Sequence, residues 1–391
     1  MPLGVYISVP FCRTKCSYCN FASGVFAREA VAGYVERVCA DISRVGQTAF
    51  EMGGTFECKA NSVYFGGGTP TALPAPQLER IFAALHQLFE MDADAEITVE
   101  CAPGSLAPET LGSLVRAGVN RVSLGVQSFI DAEAAAVGRL HTRAVVLDDI
   151  ARLRAAGINN INIDLIAGLP HQTEASWHAS LGEIIAAEVP HTSVYMLEVD
   201  EDSRLGRELV AGGTRYHAHF VPDEDAVADF YEQACARLGD AGIAQYEISN
   251  FARLGMESRH NLKYWTRQPY MGFGLDAHSM LEGPDGAVRF STSDSLPEFM
   301  AGAPLSCTTV SARDALEEAF FLGLRLTRGL DLKAISARLA ADAEAAFGGT
   351  IRELEASGML ERTGNIVRLT PAGRLLSNEV FQRFIRVATT P

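Results

Sequence analysis

Val5-Tyr6-Ile7-Ser8-Val9-Pro10-Phe11-Cys12-Arg13-Thr14-Lys15-Cys16-Ser17-Tyr18-Cys19-Asn20-Phe21 joins a β-branched run to three closely spaced cysteines. The first five residues read as a strand. The same arrangement, a short apolar run leading into a distinctive segment, recurs along the chain. Ser62-Val63-Tyr64-Phe65 precedes Gly66-Gly67-Gly68-Thr69, and Glu96-Ile97-Thr98-Val99-Glu100 ends on a carboxylate. Arg121-Val122-Ser123-Leu124-Gly125-Val126 leads into Gln127, Ile161-Asn162-Ile163-Asp164-Leu165-Ile166 carries Asp164, and Ser193-Val194-Tyr195-Met196-Leu197 is the sixth. Stretches of helical period at 76–89, 108–117, 144–156 and 174–188 separate them. Strands spaced by helices with short connections predict βαβ units around a parallel sheet. Six units are too few for a closed eight-fold barrel and suit a partial one; a doubly wound open sheet is the alternative. In both, the C-terminal strand ends share one face, so five distant segments are predicted to meet at one mouth.

Composition narrows the class. The 391 residues are 48% apolar and 21% charged, which excludes wholesale disorder. Formal charge is 33 basic minus 48 acidic, or −15, a balance that disfavours nucleic acid and anionic lipid as partners. No apolar run approaches the roughly eighteen residues that span a bilayer, and no signal peptide is recognisable, so a cytoplasmic protein without a membrane anchor is expected. Of eight cysteines, Cys39, Cys58, Cys101, Cys235 and Cys307 are scattered and read as free, mostly buried thiols. Cys12, Cys16 and Cys19 are clustered, which in a reducing compartment points to metal or redox chemistry.

Three thiolates on one loop can hold three corners of a four-iron–four-sulfur cluster, leaving the fourth iron for a small molecule. A structural zinc site needs a fourth Cys or His nearby, and none adjoins the triplet. The C-x3-C-x2-C spacing with an aromatic before the last cysteine resembles the signature of radical S-adenosylmethionine (radical SAM) enzymes. Tyr64-Phe65-Gly66-Gly67-Gly68-Thr69-Pro70-Thr71, Val99-Glu100-Cys101-Ala102-Pro103-Gly104, Leu124-Gly125-Val126-Gln127-Ser128-Phe129, Gly138-Arg139-Leu140-His141 and Ile163-Asp164-Leu165-Ile166-Ala167-Gly168-Leu169-Pro170 follow in order. Together they resemble the oxygen-independent coproporphyrinogen III oxidase family, from Tyr6 to about His278. Within it the chain is most similar to the HemW-type haem chaperones. Phe21 stands where the oxidases carry a fourth cysteine, the lead before Cys12 is short, and His260-Asn261-Leu262-Lys263-Tyr264-Trp265 matches an H-N-x-x-Y-W motif. The stretch Gly272-Phe273-Gly274-Leu275-Asp276-Ala277-His278-Ser279 fits the same subgroup.

The resemblance implies an α/β fold: a partial (β/α)6 radical-SAM barrel with a smaller α-rich, winged-helix-like C-terminal domain. The expected division is 1–220 for the barrel with its cluster loop, 221–303 for a barrel extension and haem-binding segment, and 304–391 for the C-terminal domain. It also implies that Cys12, Cys16 and Cys19 bind a 4Fe–4S cluster. Tyr6, Tyr18, Gly67, Gly68, Thr69, Glu100, Gln127, Arg139 and Asp164 would surround one or two S-adenosylmethionine molecules. Glycines let backbone approach a ligand with no Cβ in the way, and an arginine fork suits its carboxylate. Phosphate cradling is not expected, since no Gly-Lys-Ser/Thr follows the glycines. Haem is the implied cargo, with His260, Asn261, Tyr264 and Trp265 as its site; His217 and His219 are rival iron ligands, otherwise exposed loop histidines. Recipient haemoproteins, respiratory membrane enzymes among them, and an electron donor for cosubstrate cleavage are the implied partners.

Beyond 220, helical period covers 223–241, Tyr246-Glu247-Ile248-Ser249 looks strand-like, and 255–295 reads as an ordered functional loop region. Helical stretches at 313–326 and 331–346 lead to 350–357, then a hairpin through Leu360 and Ile366-Val367-Arg368-Leu369, and a last helix. Over 310–391 there are 11 Lys/Arg against 10 Asp/Glu, too balanced for a duplex-binding face. The competing functions are coproporphyrinogen III decarboxylation, radical methylation, and a zinc-stabilised regulator using the C-terminal unit on nucleic acid. The missing fourth cysteine points away from the oxidase.

Overall fold

The computed structural model describes residues 1–201, 203–284 and 286–385. Strand β1 (Leu3–Val9) pairs in parallel with β2 (Lys59–Gly67). The parallel ladder continues through β3 (Glu90–Cys101), β4 (Arg121–Gln127), β5 (Asn160–Ala167) and β6 (His191–Met196). Spatial order therefore follows chain order. A doubly wound sheet reverses direction after its first strand, so the partial barrel holds and the doubly wound alternative does not.

A period of two runs through the strands. Val5, Ile7, Val63, Phe65, Ile97, Val99, Val122, Leu124, Ile161 and Ile163 join one hydrophobic core with the covering helices. The intervening Tyr6, Tyr64, Glu100, Ser123, Asn162 and Asp164 form the polar lining opposite. Ser123 Oγ donates to Asp164 Oδ2 at 3.0 Å, and Asn162 Nδ2 donates to Asp164 Oδ1 at 2.8 Å. The alternation separates a dry core from a hydrogen-bonded interior.

Antiparallel strands extend both edges. β7 (Ala244–Gln245) and β8 (Asn250–Ala252) lie beyond β6. Beside β1 lies β9 (Tyr270–Phe273), itself parallel, followed by antiparallel β10 (His278–Gly283), β11 (Gly286–Ser291) and β12 (Ser306–Val310). The twelve-stranded sheet stays open. Two expectations are corrected here. Tyr246–Ser249 connects β7 to β8 rather than forming a strand; Glu247 makes a single antiparallel bridge to Leu326, and its buried carboxylate accepts from the Ser249 backbone N–H at 3.0 Å. The stretch 255–295 is a helix (Arg259–Trp265) with three strands; Tyr270, Met271 and Phe273 are all buried, which erases the alternation that marks a strand.

The C-terminal unit has its own core, in which the Phe320, Phe347 and Phe384 rings pack with centroids 4.6–5.3 Å apart. Its hairpin, β14 (Leu360–Thr363) with β15 (Ile366–Leu369), is flanked by β13 (Leu330–Asp331). The helix expected over 331–346 is two, Leu332–Leu339 and Ala343–Ala356. The chain turns left-handed at Ala340, φ +48°, and the Asp342 side chain caps the second helix. Residues 386–391 of the expected 304–391 domain lie outside the described residues. No helix among the described residues is long and apolar enough to cross a membrane.

Ile248 joins the C-terminal core, and Arg325 donates to the fully buried Glu247 at 3.3 Å, so one ion pair ties that unit to the sheet edge. Arg325→Ala is expected to strand a buried carboxylate and cost about 3 kcal/mol of stability, read as a lowered thermal midpoint. An unchanged midpoint would contradict that role.

Candidate functional site

The loop after β1 is folded onto the end of β2. Cys12 N–H donates to Gly24 O and Gly24 N–H to Pro10 O, both at 2.9 Å, closing the loop on itself. Gly68 N–H donates to Val9 O at 2.8 Å and Thr69 N–H to Phe11 O at 2.9 Å. A Cβ on Gly68 would lie 2.8 Å from Val9 O and 3.0 Å from Cys12 Sγ, so only glycine permits this approach. Gly67, at φ +98°, needs glycine for its backbone conformation. Lys15 Nζ spans the loop, donating to Phe21 O and Ser23 O, each at 2.7 Å.

All eight cysteines are free thiols. Of the five scattered ones only Cys101 is fully buried, and Cys307 is exposed, which corrects the expectation of mostly buried singletons. Each thiol of the triplet has a hydroxyl or guanidinium beside it. Thr69 Oγ1 donates to Cys12 Sγ at 3.8 Å, Arg139 Nη1 donates to Cys16 Sγ at 3.6 Å, and Cys19 Sγ lies 3.9 Å from Ser23 Oγ. Burial pushes the Cys12 thiol above its ordinary pKa, offset in part by Thr69 and Ser23. No group of three His, Cys, Asp or Glu residues converges as a single ion requires among the described residues. Three thiols with no fourth donor suit a polynuclear iron–sulfur group rather than zinc. Ser17 Oγ and Arg139 Nε are buried without partners at the same loop, consistent with a polar guest.

The other rim residues follow from the strand period. Tyr64 Oη donates to Glu100 Oε1 at 2.9 Å, and the Tyr6 and Tyr64 rings stack at 6.2 Å. Burial, then the neighbouring Asp164 charge, pushes Glu100 up to about 7. Gln127 adopts φ +71°, unusual for a residue with a side chain, where the β4–β5 register shifts. Arg139 also donates to Gly125 O, linking the cysteine loop to that irregular strand end. Tyr18 sits beside Arg139 in a small apolar cluster, and burial raises its pKa. The structure thus brings together Cys12, Cys16, Cys19, Tyr18, Thr69 and Arg139, with Glu100 and Asp164 across the rim.

Tyr6 and Gly67 also line a cavity of about 290 Å³ with Phe21, Tyr264, Asp276 and His278. Asp276 and His278 are additions that sequence reasoning missed; their signal was the Gly272–Ser279 stretch, which carried no assigned role. The His278 side chain is 67% exposed and its Nε2 lies 3.6 Å from Asp276 Oδ1.

The H-N-x-x-Y-W residues divide between two surroundings. His260 is 1% exposed, its Nδ1 lies 3.0 Å from Ser62 Oγ and its Nε2 2.9 Å from Tyr264 Oη. Burial, then the Lys263 charge, pushes its pKa down to about 3, so the ring is neutral and both nitrogens are engaged. Asn261 is half-buried, and its backbone N–H donates to the Ser258 cap. Trp265 faces the C-terminal unit, with the Arg325 guanidinium 4.3 Å over its ring. His217 is not a solitary loop histidine: its Nδ1 lies 3.1 Å from His171 Nε2. His219 is exposed.

Residues 6–184 match the radical SAM superfamily, and residues 310–376 match the HemN C-terminal domain. The chain is 32% identical to the heme chaperone HemW of Lactococcus lactis, covering 98% of this chain and 97% of that one. It is 31% identical to the heme chaperone HemW of Escherichia coli, covering 98% of each. Among solved structures, coproporphyrinogen III oxidase (HemN) from Escherichia coli superposes with a TM-score of 0.82 at 23% identity, covering 98% of this chain and 90% of that one. That likeness concerns the fold.

Gly68→Ala is expected to displace the cysteine loop, so that after anaerobic reconstitution the variant retains much less iron and sulfide than the wild type; equal retention would refute the close-approach argument. Glu100 holds its proton to a higher pH folded than unfolded, so it withdraws stability as pH rises from 4.5 to about 7. Glu100→Gln should therefore melt higher than wild type at pH 8 and converge with it near pH 4.5; parallel pH profiles would contradict the shift.

Proposed function

The chain belongs to the HemW family of haem chaperones within the radical SAM superfamily, and from that membership we propose how its residues divide the work. The protein binds haem and passes it to recipient haemoproteins, on a scaffold for a 4Fe–4S cluster and S-adenosylmethionine. Cys12, Cys16 and Cys19 supply the three thiolates, with Thr69 and Arg139 stabilising their negative charge by hydrogen bonds. Held there and reduced, such a cluster would supply the electron if the cosubstrate's sulfonium is cleaved.

The observation that carries this reading is the placement of Arg139. Its guanidinium reaches Cys16 Sγ and Gly125 O, and the Asp164 charge acts on it as well. A carboxylate-binding fork thus adjoins a cluster thiolate, as joint binding of cluster and amino acid requires. Asp164, and Glu100 in its ionised form, are the carboxylate partners for the ammonium and ribose hydroxyls. Gly67, Gly68 and Thr69 supply backbone at the strand end, Tyr6 and Tyr18 the aromatic walls, and Gln127 a polar contact.

For the cargo, the motif helix divides its labour. His260, locked between Ser62 and Tyr264, is a positioning residue that holds the helix against β2. Tyr264 faces the mouth, Asn261 lies at the helix start, and Trp265 presents the face away from the barrel. Phe21, 66% exposed at the place of the oxidases' fourth cysteine, weighs against coproporphyrinogen turnover. We assign the protein to the cytoplasm, with an external electron donor and respiratory membrane haemoproteins as recipients; the likeness to the HemW relatives and the radical SAM match support the haem recipients and the donor.

Haemin titrated into anaerobically reconstituted protein is expected to give a saturable Soret shift, with no conversion of coproporphyrinogen III under reducing conditions. A linear, unsaturable absorbance change would reject the haem-carrier reading, and porphyrin product would favour the oxidase.

A further inference from the structure

Trp265 forms one wall of a second cavity, about 430 Å³, between the end of the motif helix and the C-terminal unit. Its remaining wall is largely apolar, with Leu330, Ile335 and Ile366 among the lining side chains. Two arginines, Arg328 and Arg338, stand at its exposed rim. Arg338 is anchored by a 2.8 Å bond from Nη1 to Thr266 O, and burial with the nearby Arg267 charge lowers its pKa. The one carboxylate in the lining, Asp331, is already engaged, accepting from the Lys333 and Ala334 backbone N–H groups at 2.9 and 3.0 Å. The Trp265 indole N–H is buried and has no acceptor.

These features call for one kind of guest. Guanidinium forks at the rim, Arg328 and Arg338, suit carboxylates through paired, charge-assisted hydrogen bonds. An apolar chamber walled by an aromatic ring suits a flat hydrophobic body. We propose that this inter-unit cavity receives the carboxylate-bearing edge of the porphyrin, with Arg328 and Arg338 pairing its propionates and Trp265 packing against the macrocycle. The assignment rests on the haem-carrier reading and deepens it by locating the cargo away from the cysteine loop. No imidazole or thiol lines the cavity among the described residues, so recognition there is of the ring and its acids rather than of iron. Because both units line it, bound porphyrin would also bridge them.

An iron-free probe isolates the claim. Protoporphyrin IX and its dimethyl ester are titrated into full-length, cluster-loaded protein, wild type and R328A/R338A, alongside haemin. The acid should bind wild type at least about tenfold more tightly than the double variant, the scale of a lost charge-assisted hydrogen bond. The ester should bind both alike and weakly. Ile335→Trp, which fills the chamber, should weaken acid and ester together, with an unchanged melting curve showing that it folds. Equal affinity of wild type and double variant for the acid, or an ester bound as tightly as the acid, overturns the assignment. If haemin binds both proteins equally, the carrier reading survives and only this location fails; if haemin binds neither, both fail.

Discussion

The contact on which this site depends is the one between Gly68 and the end of β1. Where Gly68 donates to Val9 O at 2.8 Å, two adjacent parallel strands deliver their loops into one small volume, and Thr69 repeats the bond one residue on. A side chain at position 68 would hold the loops apart. The cysteine loop then has a floor, and the hydroxyl of Thr69 comes within reach of Cys12. From the opposite rim Arg139 closes on Cys16. Without the glycine approach, three free thiols would occupy an open loop, with no defined relation to the carboxylates across the mouth.

Much of this was legible in the chain. Six strand-like runs with short helical spacers dictated the parallel order, and the distinctive residues after each run marked the mouth, because a strand's C-terminal end places its next loop there. Less legible was the meaning of Glu100 and Asp164 within their strands. They mark the polar side of a two-residue period that looks uniformly apolar when only Val, Ile and Phe are counted. Strand β9 escaped notice for the converse reason: with all four of its residues buried, no alternation is left. The break at Ala340 carries no glycine or proline, so only the Asp342 cap hinted at it.

The H-N-x-x-Y-W motif shows how far residue chemistry leads and where packing takes over. An imidazole invites assignment as an iron ligand; in the structure both ring nitrogens of the buried His260 lie against the hydroxyls of Ser62 and Tyr264. Its helix therefore works as a partition. One side stacks on Tyr6 and Tyr64 toward the cysteine loop, and Trp265 turns to the C-terminal unit. One short helix thus contributes Tyr264 to one cavity and Trp265 to the other, and the Glu247–Arg325 pair joins the C-terminal unit to the sheet edge.

Electron paramagnetic resonance of the reduced, anaerobically reconstituted protein, recorded before and after adding S-adenosylmethionine, addresses the central claim most directly. A cluster held by Cys12, Cys16 and Cys19 with one iron open to the cosubstrate predicts a signal that shifts on addition. A spectrum indifferent to the cosubstrate, or protein carrying zinc and no acid-labile sulfide, would contradict it.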